Sequence, residues 1–202
     1  MPQKQILLAV FTLMALASCT ASRDPMRSTA RQLQKGIIKE DTSFAYSLPF
    51  KPGESHLVVQ GYFSKYSHKN RVAIDFKMKK GTNVYAARGG VIVRVKIDGN
   101  KGGWNKKYRP YGNNIVIQHE DGSRAGYWHL KYNGSFVKIG DTIQQGQLIG
   151  LSGRTGYALF PHLHFLVWRN GSNGQWLQIP TRFKTSKGII YLRPLRRYRN
   201  PQ

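Results

Sequence analysis

The chain has 202 residues, enough for one domain with a full hydrophobic core and short extensions, and no internal repeat is visible. Its 32 basic residues against 9 acidic ones give a formal net charge of +23, which favours anionic partners through long-range attraction and counterion release. A single cysteine excludes an internal disulfide, so in an oxidising compartment this thiol needs another use.

Residues 1–19, MPQKQILLAVFTLMALASC, hold a lone basic Lys4, an apolar run from Ile6 to Ala17 and small residues before Cys19. That is the pattern of a secretory signal, too short for a membrane-spanning helix. Its end, Leu16-Ala17-Ser18-Cys19, resembles the lipobox of bacterial lipoproteins, in which cleavage leaves the cysteine as a lipidated N-terminus. Residues 1–18 are therefore expected to be a signal peptide and Cys19 the lipidation site. Thr20 stands where an aspartate would suggest inner-membrane retention, so the expected address is the cell envelope, on the outer membrane facing the periplasm of a Gram-negative cell. Cell-wall polymers and anionic membrane surfaces are the polyanions nearest such a protein, and no nucleic-acid partner is expected. Residues 19–42 are polar and basic, with weak helical character around Ser28 to Lys35, and read as a tether.

From Ser43 the pattern turns to short runs of β-forming residues, including HLVVQGYF, RVAIDFKM, NNIVIQH and HLHFLVWR. Apolar positions alternate in several, as at Val91, Val93 and Val95, and turn signals such as Asp98-Gly99-Asn100 separate them. The expected fold class is all-β, a mainly antiparallel sheet with hairpin extensions, over residues 43–180. Lys101 to Gly112, KGGWNKKYRPYG, reads as a basic, aromatic hairpin tip or loop, too polar for the core. Residues 181–202 carry Arg193, Arg196, Arg197 and Arg199 and read as a solvated basic C-terminal tail, with contact to a membrane or wall surface as the sharper alternative.

Within GYALFPHLHF, His162 and His164 flank one leucine just after Pro161. On a strand they share a face about 7 Å apart, while Leu163 and Phe165 turn to the core. The pair could bind one metal, divide metal binding and proton handling between them, or be surface histidines of an amphipathic strand. Asp75 in VAIDF is the same kind of problem. If Val72, Ile74 and Phe76 face the core, Asp75 lies on the other face and needs a partner, either Arg71 or a metal ion. His129 in GYWHL reads as a strand histidine, and His68 lies in the loop before VAIDF. Zinc takes nitrogen and oxygen ligands, and a catalytic site leaves one position for water.

The ordered set SH…AIDF, GTNVYAARGGVIV, GNNIVIQHEDG, YWHL, VKIGDTIQQGQLIGLSGRTG and PHLHF resembles the M23, or LytM-like, zinc metallopeptidases, which cut peptide crosslinks of bacterial peptidoglycan. The resemblance spans about residues 56–168 and implies a LytM-like, duplicated-hybrid-motif peptidase domain. It implies Zn2+ held by Asp75 and His164, with His129 and His162 beside the metal managing the protons of the attacking water and the tetrahedral intermediate. Most members place a first histidine ligand four residues before the aspartate, where this chain has Arg71, which cannot ligate. His68, seven residues before Asp75, is the expected third ligand. Two readings follow: a membrane-tethered zinc endopeptidase acting on peptidoglycan peptides, or a non-catalytic LytM-like module that binds cell wall or activates another murein hydrolase. Leu166, where an acidic residue is common, and Arg71 speak for the second; the five retained residues speak for the first.

Overall fold

Alternation in the VAIDF and HLHF segments has the expected outcome. Val72, Ile74, Phe76, Leu163, Phe165 and Val167 all lie in one core, each no more than 2% exposed, while Asp75 and His164 look the other way. The computed structural model describes residues 24–202; Cys19 and the signal peptide expected before it lie outside the described residues.

The chain opens with helix α1 (Met26–Lys35), followed by strands β1 (Ala45–Ser47), β2 (Ser55–Gln60), β3 (Ala73–Lys77), β4 (Asn83–Tyr85) and β5 (Gly90–Lys96). Next come β6 (Gly102–Gly103), a 3-10 turn over Lys106–Tyr111, β7 (Asn114–Gln118), β8 (Arg124–Trp128) and β9 (Leu130–Ser135). The remainder is β10 (Thr142–Ile143), β11 (Leu148–Ser152), β12 (Gly156–Tyr157), β13 (His162–Asn170), β14 (Trp176–Ile179), β15 (Arg182–Thr185), β16 (Gly188–Tyr191) and β17 (Arg196–Arg199).

The main sheet runs β10-β5-β7-β8-β13-β3-β2-β17, and β14 extends it by pairing with the far end of β13. Its pairings are all antiparallel; among the described residues, β1 with β15 and β12 with β6 are the parallel pairs. One face of this sheet packs Phe76, Phe165, Ile115 and Ile117 against Tyr46 and Phe183 of the β1-β15-β16 sheet and against Val84, Ile149 and Leu130 of the β4-β11-β9 sheet. Burying a side chain such as Phe165 contributes about 1.5–3 kcal/mol each time. The other face carries a smaller apolar cluster, Ala73, Val116, Leu166 and Trp168, and beside it the polar cluster described below. Gly126 in β8 sits under the Trp128 ring, where a Cβ would come within 2.0 Å of the indole. Trp128 can therefore lie flat along the sheet beside His164.

Two segments depart from the sequence reading. Within 19–42, the part expected as a tether docks instead. α1 buries Ala30, Leu33 and Gln34, and Gln34 Nε2 donates to the Leu192 carbonyl at 2.5 Å. Gly36, at φ 72°, closes the helix with its N–H on Leu33 and the next N–H on Gln32. The C-terminal residues 181–202, expected as a solvated tail, complete two sheets: β15 and β16 form a hairpin, and β17 pairs with β2 from Arg199↔Ser55 to Arg196↔Val58. Arginines dominate the composition there, but Phe183, Leu192 and Tyr198 are buried, and pairing with a ready edge overrides local polarity. The domain thus extends past residue 180. Lys101 to Gly112 is the expected polar loop, pinned by β6 pairing with β12 and by Asn105, which caps the 3-10 turn.

Candidate metal centre

Register builds the floor of the site. β3 and β13 pair so that Asp75 lies directly opposite His164, and β13 and β8 pair so that Trp128 flanks His164 on the other side. His68 then arrives from the loop between β2 and β3. Its Nε2 lies 3.2 Å from Asp75 Oδ1 and 3.2 Å from His164 Nδ1, and His164 Nδ1 lies 2.8 Å from Asp75 Oδ1. Three ligand atoms on a tetrahedral zinc at about 2.0–2.1 Å would sit about 3.3 Å from one another. The observed spacing fits that triangle, and the donor set of two imidazoles and one carboxylate is a zinc set. Among the described residues, His68, Asp75 and His164 are the group whose ligand atoms converge in this way.

The histidines around it share one device. His68 Nδ1 donates to the Gly61 carbonyl at 3.1 Å, His129 Nδ1 to Thr155 at 2.7 Å, and His162 Nδ1 to Phe160 at 2.8 Å. A carbonyl can only accept, so each Nδ1 carries a proton, which leaves Nε2 as the ring nitrogen that can take a metal or a further proton. His164 is oriented the other way round, with Nδ1 in the cluster. The His129 ring centroid lies 4.6 Å from that of His162 and 5.7 Å from that of His164. His162 Nε2 is 3.8 Å from Asp75 Oδ2.

Asp75 is 1% exposed. Burial alone would push its carboxyl up; the proximity of His68 and His162 and the hydrogen bonds of His164 and His68 outweigh this and hold it well below the usual carboxylate range. Burial, reinforced by His162 and His164, pushes His129 down to about 3, so it is uncharged at neutral pH. Arg71 does not answer Asp75: its guanidinium lies 4.8 Å above the Trp176 ring. His56 and His119 stand apart, on the Lys77 and Gly89 carbonyls respectively.

Two features were not legible in the sequence. His129, read as a strand residue, sits at φ 64° in the break between β8 and β9, a left-handed position that histidine tolerates better than most side chains. Gln60, at the bulged end of β2, donates from Nε2 to Asp75 Oδ2 at 2.8 Å and holds the carboxylate oxygen turned away from His68 and His164. A glutamine in a β-run carries no signal of such a role.

A cleft of about 900 Å3 opens over the cluster, with His68, His129, His162 and His164 in its floor and Trp104, Trp128, Tyr157 and Phe160 in its walls.

Sequence comparison matches residues 69–175 to Peptidase family M23. The match begins one residue after His68 and includes Asp75, His129, His162 and His164. Among curated relatives, glycyl-glycine endopeptidase ALE-1 of Staphylococcus capitis is 40% identical over 121 residues, covering 59% of this chain and 30% of the relative. Peptidoglycan DD-endopeptidase ShyA of Vibrio cholerae is 41% identical over 91 residues, covering 45% of this chain and 18% of the relative. Matches of this kind span less than a third of the relatives' length. The catalytic domain of lysostaphin from Staphylococcus simulans superposes with a TM-score of 0.44 at 34% identity, covering 62% of this chain and 87% of that domain. With more than half of its length matched by the family, and with Asp75, His129, His162 and His164 inside the match, the chain belongs to peptidase family M23.

Proposed function

We propose that the protein is a zinc-dependent endopeptidase that hydrolyses peptide crosslinks of bacterial peptidoglycan, held in the cell envelope by a lipid on Cys19. The observation that carries this reading is the convergence of His68 Nε2, Asp75 Oδ1 and His164 Nδ1 at 2.8–3.2 Å beneath an open cleft. ALE-1 and ShyA, both named as endopeptidases, supply the substrate class by similarity.

His68, Asp75 and His164 would hold the ion. Zinc there would supply Lewis acidity toward the scissile carbonyl and lower the pKa of water from about 15.7 to near 7. His129, uncharged and fixed by Thr155, offers the Nε2 lone pair as acceptor for the proton of the attacking water. His162, fixed by Phe160, lies on the same side of the cluster, where a ring that has taken up a second proton at Nε2 can meet the developing oxyanion, pass that proton to the leaving amine and return to its neutral Nδ1–H form. Gln60 keeps Asp75 in one orientation throughout.

The test is zinc stoichiometry of the purified chain beside His68→Ala and His164→Ala, paired with digestion of purified peptidoglycan. One zinc per chain, lost in both variants together with digestion, is the expected result. A chain that takes up no zinc at saturating metal ends the enzyme reading and leaves a wall-binding or activating module.

A further inference from the structure

The cleft above the metal centre is lined by four cations, three of which no acid among the described residues answers. Arg71, Arg94, Lys96 and Arg109 all face it. Lys96 is paired with Asp98, but no ion pair among the described residues engages Arg71, Arg94 or Arg109. Asp75, the acid of the site, is buried beneath and already engaged by His68, His164 and Gln60.

Aromatic faces hold two of these guanidiniums in place without neutralising them. Arg71 lies 4.8 Å over Trp176, and Arg109 lies 5.6 Å over Tyr157, which itself stacks on Trp104 at 5.2 Å and 24°. Stacking fixes the plane of a guanidinium and leaves its fork of donors free. The two arginines also feel each other: after burial, the charge of Arg109 is what pushes Arg71 down. Like charges converging on one groove with no carboxylate between them form a receptor for one, and a guanidinium fork matches a carboxylate in two parallel hydrogen bonds. Arg71 stands where most relatives are expected to carry a metal ligand, so that position serves the groove instead.

We propose that Arg71 and Arg109 form a carboxylate-binding subsite beside the metal centre, so that the cleft takes peptides bearing a free carboxylate near the bond to be cut and discriminates against uncharged ones. This rests on the endopeptidase reading for its setting, but binding tests it separately from turnover.

The probe is a fluorescently labelled, uncrosslinked stem tetrapeptide with free carboxylates, which presents no crosslink to cut, compared with the same peptide after conversion of its carboxylates to primary amides. Binding to the full chain is followed by anisotropy at low salt. The acid form is expected to bind at least ten-fold more tightly than the amide. That ratio should fall below two-fold in Arg71→Gln/Arg109→Gln. It should survive in Arg196→Gln/Arg197→Gln, which removes the same charge from β17 outside the cleft. Equal binding of acid and amide overturns the proposal, as does a ratio that persists in the cleft variant or collapses equally in the β17 variant. A chain that shows the ratio but digests no peptidoglycan keeps the subsite and loses the endopeptidase reading; the reverse pattern does the opposite.

Discussion

Asp75 and His164 reach the candidate metal centre from adjacent strands, whereas His68 and His129 reach it from irregular backbone, and the two pairs are held by different means. The strand pair is positioned by the ladder itself: β3 and β13 set the two residues opposite each other, and the pleat turns both away from Phe76 and Phe165. The loop pair has no ladder, and each ring is fixed through Nδ1 by one backbone carbonyl, Gly61 for His68 and Thr155 for His129. Asp75 and His164 thus inherit their placement from the paired strands, while His68 and His129, like His162 at the first position of β13, are each fixed by a carbonyl of their own.

The most severe way to break this contrast without touching a ligand is at His129. His129→Asn suits the left-handed backbone at φ 64° but removes the proton acceptor. It should lower kcat by about 10²–10⁴-fold while the chain keeps its zinc, as read by metal analysis beside peptidoglycan digestion. A matching loss of metal would mean that His129 ligates rather than relays.

Gln60 probes the strand side. Gln60→Ala frees one oxygen of Asp75 and should weaken zinc binding about 10–100-fold in a chelator competition, since partners behind a ligand tune it by that much. Unchanged affinity would show that the ladder alone orients the carboxylate.

The smallest expected effect is on stability. Burial holds His129 down at about 3 in the fold against the ordinary histidine value of about 6.5, so below pH 6.5 the unfolded chain takes up a proton that the folded chain refuses. Its contribution is complete above that range and declines as pH falls. The metal-free chain should lose about 1 kcal/mol between pH 6.5 and 5.5 from this group, by urea denaturation, and His129→Asn should lack that component. Identical slopes in the two chains would remove the argument that burial keeps His129 neutral.

The same division governs what could be read from the amino acids alone. Alternation in VAIDF and HLHF announces which side chains turn inward, because a strand's period is strict, so Asp75 and His164 are legible as an exposed-face pair. His68 could be nominated only through family resemblance, since nothing in SHKN tells how a loop will fold back. His129 lies between two strand segments with no glycine or asparagine to mark the break. Arg196–Arg199 misleads for a further reason. Tyr198 is its one buried residue, and the partner that makes it a strand, β2, lies near the other end of the domain.

That pairing has a consequence for how the molecule is made. β2 is synthesised long before β17, so the sheet stays open along β2 until Arg196–Arg199 are available. An unfinished chain presents a bare backbone edge next to the segment that bears Gln60, and contacts this distant in sequence form slowly. Closing of that edge, and with it the support of β2 ahead of Gln60, thereby waits on residues more than a hundred positions further along the chain.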